Sequence, residues 1–230
     1  MIIIGNGMLA KAFSKLNNKL PDCVVFASGV SNSKCEDPLE FNREFNLLKN
    51  ALKYNKRLIY FSTCSIYDSS LNLSPYIDHK LKIENFITVN FKDYIIYRLP
   101  NLIGITKNKN TLINCFIESI LKGTTLNLYK DSTRYIIDVD DVVKYVLLTE
   151  SVSNSIMNLN FNINYKVLDI WQEIENVLDK KGESRIIEAG CDYKIDNSLF
   201  ISKLRGIEIP ELNDKDYFRK TINKYINQLK

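Results

Sequence analysis

Met1-Ile2-Ile3-Ile4-Gly5-Asn6-Gly7-Met8-Leu9-Ala10 is the stretch that decides the fold. Four consecutive apolar residues without alternation read as a strand buried on both faces. Leu9, Phe13, Leu16 and Leu20 then recur at helical spacing until Pro21-Asp22 ends the run. A glycine turn therefore joins a buried strand to a helix, and Gly5-x-Gly7-x-x-Ala10 has the context of a dinucleotide-binding turn. The first glycine permits the tight bend, the second lets a pyrophosphate approach the backbone, and Ala10 lets helix and strand pack closely. The anion would sit on the positive end of the helix.

Downstream the same alternation repeats. Residues 23–29 read as a second buried strand running into the small residues Ala27-Ser28-Gly29, and Phe41, Phe45, Leu48 and Leu52 form the stripe of a second helix. Residues 57–63 and 94–99 are further strands, separated by a helix that continues through Ile83 and Ile87. Strands alternating with helices, each strand a continuous apolar run, predict a parallel sheet covered on both faces. Beyond Gly104 the pattern loosens: residues 112–121 read as a helix, 126–129 and 134–139 as short strands, and Asp140-Asp141 as the cap of a helix through Val146. Residues 156–161 return to the sheet, 168–178 form a helix that buries Trp171, and a last helix is expected from Asp214 to about Leu229.

Within that frame, Tyr76 and Lys80 lie four residues apart, one helical turn, and share a face. An ammonium there lowers the pKa of a phenol that is otherwise too weak an acid for neutral pH. Thr63 supplies a neighbouring hydroxyl that could hold a carbonyl or alcohol oxygen while Tyr76 exchanges its proton. His79, inside the same turn, is expected to be exposed and non-catalytic.

Composition excludes several other classes. At 230 residues and 45% hydrophobic the chain can bury a substantial core. The net charge of +4 is interleaved along the chain, which argues against a nucleic-acid footprint. No apolar run approaches the length of a membrane span, and the N-terminal stretch lacks the character of a signal peptide, so a cytoplasmic protein is expected. Cys23, Cys35, Cys64, Cys115 and Cys191 are unevenly spaced without a C-x-x-C pair, and there is a single histidine, so neither a disulfide framework nor a metal site is expected.

Five motifs taken in order resemble the extended short-chain dehydrogenase/reductases: the residue 5–10 turn, Phe61-Ser62-Thr63-Cys64-Ser65-Ile66-Tyr67, Pro75-Tyr76-x-x-x-Lys80, residues 98–104 and residues 134–142. More narrowly, the chain resembles the NAD-dependent epimerases, dehydratases and reductases of nucleotide-activated sugars, over about residues 1–165. The resemblance implies a Rossmann-like doubly wound parallel α/β sheet lacking some early strands, with a small C-terminal α+β substrate lobe. The dinucleotide-binding domain would comprise residues 1–104 with about 138–164, and the substrate lobe residues 105–137 with 165–230.

The roles that the resemblance implies fall on matching positions. Thr63, Tyr76 and Lys80 would be catalytic. Gly5, Asn6, Gly7, Met8, Leu9, Ala27, Ser28, Gly29, Ser62, Lys80 and Pro100 would hold NAD or NADP. Cys64, Ser65, Asn101 and Arg134 would face the substrate, the arginine through its planar fork of donors on phosphate. Asp138 and Asp141 are expected to be structural, as a strand end and a helix cap. A nucleotide-sugar substrate, a role in surface polysaccharide synthesis and a homodimer through the helices near 41–54 and 76–90 complete the expectation.

Two departures shape it. The 4,6-dehydratases carry an Asp-Glu pair directly after the catalytic threonine, whereas this chain has Cys64-Ser65. Dehydration is therefore not expected, and a keto-sugar reductase or 4-epimerase remains. The strand at 23–29 also comes too early: it is either the family's fourth strand with the second and third deleted, or its second strand. Neither reading offers an acidic residue for the adenosine ribose. The alternatives are a reductase of a carbonyl compound without a nucleotide, and a non-catalytic dinucleotide-binding protein of the same fold.

Overall fold

The computed structural model describes residues 1–16 and 19–226. In chain order the elements are β1 (Ile2–Ile4), α1 (Met8–Ser14), β2 (Cys23–Phe26), α2 (Pro38–Ala51), β3 (Arg57–Thr63), α3 (Pro75–Asn90), β4 (Tyr94–Leu99), β5 (Asn101–Ile103) and α4 (Leu112–Lys122). They continue as β6 (Leu126–Tyr129), β7 (Thr133–Asp138), α5 (Val139–Leu148), β8 (Ser155–Asn158), β9 (Asn164–Lys166), α6 (Val167–Leu178), β10 (Ser184–Ile187), α7 (Ser198–Lys203) and α8 (Tyr217–Ile226).

The main sheet is five-stranded and parallel throughout, in the order β1-β2-β3-β4-β8. Alternate residues of its strands feed two separate cores. Val25, Ile59, Ile95 and Tyr97 point to the side covered by Ala12 and Phe13 of α1 and Val142 and Val146 of α5. Val24, Leu58, Tyr60 and Ile96 point to the other side, against Leu48 of α2 and Ile83 and Ile87 of α3. Burial on both faces is why these strands are continuous apolar runs.

This arrangement decides between the two readings of β2. In a doubly wound sheet of order 3-2-1-4-5-6 the second strand lies on the far side of the first from the fourth. Here β2 sits between β1 and β3, the place of a fourth strand. The helices agree: β1 to β2 and β2 to β3 step in the same direction, yet α1 and α2 cover opposite faces. The two crossovers therefore have opposite hands, and with α2 in the usual right-handed connection the β1-α1-β2 unit is left-handed, against a strong general rule. A helix kept on its original face after removal of the second and third strands produces that result. It leaves β1 as an edge strand.

The C-terminal part adds two small sheets. β5 and β7 are parallel with β9 antiparallel to β7, and β6 pairs in parallel with β10. The strands β5, β9 and β10 are only three or four residues long, too short to write a strand pattern of their own, which is why the sequence does not announce them; β5 joins β7 rather than the main sheet. Trp171 packs edge-on against Phe116 with ring centroids 5.3 Å apart, as expected of a core residue.

Several boundaries differ from expectation. α1 ends at Ser14, although Leu16 and Leu20 are buried as the helical spacing required; residues 17 and 18 lie outside the described residues. The cap of α5 is Asp138, whose carboxylate accepts from Asp140 N–H at 2.9 Å; Asp140 and Asp141 occupy the first turn. α8 starts at Tyr217, and the expected end near Leu229 lies outside the described residues. No described helix is long and apolar enough to cross a membrane.

Candidate active site

The glycine turn is built as its residue types require. Gly5 has φ +130°, and a Cβ there would lie 2.4 Å from the Ala27 carbonyl oxygen, so strand β2 excludes any side chain. Gly7 caps α1 with φ −74°, and a Cβ there would meet nothing within 4 Å. One glycine serves the fold, and the other leaves open space in front of the helix. Asn6 is exposed between them, with Met8 and Leu9 half-buried behind. Ala27, Ser28 and Gly29, half-buried, continue β2 beside the turn. These features fit a dinucleotide pyrophosphate.

Across the sheet, Ser74 caps α3 by accepting from Ile77 N–H at 3.2 Å, and Pro75 occupies the first turn. That start places Tyr76 at the end of β3, buried against Val30 and Ile77. Thr63 is the last residue of β3; its hydroxyl accepts from Ser65 N–H at 3.0 Å, and it stands close enough to Tyr76 to favour the ionised phenol. Thr63, Tyr76 and Lys80 thus converge as the sequence spacing implied.

The electrostatics differ from expectation. Burial is the largest influence on Tyr76 and raises its pKa; Lys80 and Thr63 pull it down without overcoming burial, and Glu44 pushes it up further. Lys80 is only 2% exposed, with its Nζ 5.9 Å from the Tyr76 ring centroid. Its ammonium donates to both oxygens of Glu44, at 3.0 and 3.2 Å, and to Tyr60 Oη at 3.2 Å. The absence of a side chain at Gly29 lets the ammonium approach the backbone, since a Cβ there would lie 2.8 Å from Lys80 Nζ.

Other expected site residues are committed elsewhere. His79, expected to be exposed, is buried: its Nε2 lies 2.9 Å from Glu44 and its ring stacks on Phe41 with centroids 4.5 Å apart. Cys64 has no exposed surface and its thiol donates to the Arg98 carbonyl at 3.3 Å, so it cannot meet a substrate, and burial drives its pKa far up. Ser62 is likewise buried, donating to Glu84 at 2.6 Å. Asn101 donates to the Tyr135 carbonyl at 3.0 Å, and Arg134 lies 3.4 Å from the buried carboxylate of Asp68. Ser65, Pro100, Asn101 and Arg134 stay partly accessible.

The sequence reading missed two acids that organise this region. Glu84 receives Ser62 and a forked pair from Arg98 at 3.0 and 2.6 Å, and Arg98 reaches Tyr67 Oη at 3.0 Å. Glu44 gathers the neighbours of Lys80. A signal was present: Glu44 falls three residues after Phe41 and four before Leu48, on the apolar stripe of α2, and Glu84 lies one turn beyond Lys80.

Residues 8–163 match the sequence profile of the NAD dependent epimerase/dehydratase family. The chain belongs to this family. Membership makes it an NAD(P)-dependent enzyme of the short-chain dehydrogenase/reductase type. Among solved structures, this family member is similar to UDP-glucose 4-epimerase from Thermus thermophilus, in complex with NAD: TM-score 0.68, 19% identity, covering 94% of this chain and 80% of that one. It is also similar to UDP-glucuronic acid 4-epimerase from Bacillus cereus, with UDP-glucuronic acid and NAD: TM-score 0.70, 18% identity, 94% and 78% covered. A third is RMD from Pseudomonas aeruginosa complexed with NADPH: TM-score 0.66, 16% identity, 97% and 86% covered. No curated protein matches the sequence of this family member.

Proposed function

We propose that the protein is a reductase or epimerase of a nucleotide-activated sugar, using NAD or NADP and serving surface polysaccharide synthesis. The observation that carries this reading is the convergence of Thr63, Tyr76 and Lys80 at the end of β3, across β2 from an open glycine turn. When bound, the nicotinamide supplies or accepts hydride at the reacting carbon. Tyr76 gives or takes the proton at the sugar oxygen, Thr63 orients that oxygen, and Lys80 stabilises the phenolate that remains. Dehydration finds no support, since Cys64 stands where an acid is required and is buried as a neutral thiol.

The small lobe carrying β7 would hold the nucleotide part of the substrate. Arg134 is the phosphate ligand in this reading and would exchange Asp68 for substrate phosphate. Arg134→Ala should weaken substrate binding; unchanged affinity would favour a carbonyl substrate without a nucleotide. The division into residues 1–104 with about 138–164, and 105–137 with 165–230, belongs to the same reading.

We also propose a homodimer through α2 and α3. Their outer surfaces form an apolar concavity lined by Phe41, Phe45, Ile83, Phe86 and Val89, flanked by Leu39 at 76% exposure. Light scattering on the purified chain should give twice the monomer mass.

The experiment that tests the activity is incubation with a panel of UDP- and dTDP-linked 4-keto sugars and NADH or NADPH, following nicotinamide absorbance, with product epimers analysed in parallel. Reductive turnover or epimer exchange on any member supports the proposal. No change across the panel, with cofactor bound, would move the assignment to another carbonyl substrate.

A further inference from the structure

Glu44 has no exposed surface, yet it is ionised, with its pKa lowered to about 2. Burial by itself would raise that value; Lys80, His79, Tyr60 and the Val30 amide together overcome it. Four groups bond the carboxylate: Tyr60 Oη at 2.6 Å, Val30 N–H at 2.7 Å, His79 Nε2 at 2.9 Å and Lys80 Nζ at 3.0 and 3.2 Å. An apolar side chain on this helix face would pack without the desolvation cost of a carboxylate.

The contacts say what the carboxylate does. Val30 follows Ala27-Ser28-Gly29, Tyr60 belongs to β3, and His79 and Lys80 belong to α3, so Glu44 ties the loop beside the glycine turn to the helix that carries Tyr76. It also fixes the Lys80 ammonium beneath Gly29 and cancels its charge. The other ionisable groups facing the cluster are Tyr60, His79, Glu84 and Cys35.

We infer that Glu44 is the positioning residue for Lys80, setting where the ammonium sits and how much of its charge reaches Tyr76, so that Tyr76 enters the reaction as a proton donor. The inference rests on the reading of Tyr76 as the proton-transferring residue, and it favours the reductive direction. In that step the Tyr76 O–H bond breaks and its proton joins the carbonyl oxygen. Hydride from a reduced nicotinamide dinucleotide joins the carbonyl carbon. The phenolate left behind faces Lys80 and regains a proton from water.

The test is a phenolate absorbance titration of the full-length chain, with the matching Tyr76→Phe spectrum subtracted in each background so that only Tyr76 is read. Glu44→Gln should make Tyr76 ionise about tenfold more readily, and Lys80→Met about tenfold less readily, because each uncovers one charge of the pair. A bracket with no electrostatic task would leave Tyr76 unmoved, or shift it the same way in both variants, and either result overturns the inference. Should a single variant fail to fold, the double variant Glu44→Gln/Lys80→Met decides. Return of Tyr76 to within about threefold of wild type supports the cancelling pair, and a larger departure overturns it. NADH and NADPH binding to the wild-type chain is followed separately by nicotinamide fluorescence. Absence of binding sinks the cofactor reading beneath the inference, whatever Tyr76 does.

Discussion

The two ends of the dinucleotide site are furnished very differently. Around α3 the region of Thr63, Tyr76 and Lys80 is backed by the buried acids Glu44 and Glu84, each holding several neighbours. At the outer edge of β1, where the strand that carries an acidic ribose ligand would stand, there is no further strand among the described residues. What the difference teaches is that the Tyr76 end of the proposed dinucleotide site can be densely built while its adenosine end is stripped to a glycine turn. Hydride and proton transfer need positioned groups at the reacting end, whereas the distal end acts through binding energy.

The sharpest way to break this contrast is at the reacting end. Tyr76→Phe should reduce turnover by roughly a hundred- to ten-thousandfold while leaving cofactor fluorescence titrations unchanged. Full activity in the variant would remove the mechanism. Next in size is Gly5→Ala, which forces a Cβ into the Ala27 carbonyl at an unfavourable φ. A loss of about 2–4 kcal/mol in urea unfolding is expected. Gly7→Ala, whose Cβ would meet open space, should keep stability within about 0.5 kcal/mol and lose dinucleotide affinity. Equal stability losses at the two glycines would erase the distinction between them.

The buried acid predicts a pH dependence. The Glu44 pKa is depressed in the fold, to about 2 from an ordinary 4.5, so its stabilisation is complete above the unfolded value. It is lost as pH falls from about 4.5 towards 2, and denaturation curves across that window should show a slope that Glu44→Gln removes. At the adenosine end, NADH and NADPH should bind with comparable affinity, because among the described residues no further strand stands beyond β1 to carry a ribose ligand. A preference beyond about tenfold, ~1.4 kcal/mol, would show a reader that the edge of β1 does not explain. The smallest effect lies far from both ends. Burial raises Asp141 to about 6 despite its hydrogen bond from Tyr217 at 2.6 Å. Its protonated form is favoured in the fold, so its contribution fades as pH rises from about 4 to 6, and Asp141→Asn should gain about 1 kcal/mol at neutral pH.

Much of this was readable along the chain. The strands at 57–63 and 94–99 emerge with their boundaries, because burial on both faces writes an uninterrupted apolar run. The turn at Gly5 and Gly7 and the Tyr76–Lys80 pair are equally plain, since both are local patterns. Beyond Gly104 legibility falls. β9 and β10 are three and four residues long and owe their conformation to Tyr135 and Leu128 across the pairing, not to their own side chains. The environment of His79 was misread for a related reason: its partner Glu44 is 35 residues away on another helix.

The order of short motifs by itself determined the family and the parallel α/β fold, and local spacing is what lets Thr63, Tyr76 and Lys80 meet, since each depends on one turn or one strand. Only the tertiary structure decided that β2 occupies a fourth-strand place, that the β1-α1-β2 crossover is reversed in hand, and that Glu44 holds Lys80. Strand order and the pairing of buried charges depend on which distant segments meet, and the linear pattern of a chain carries no record of that.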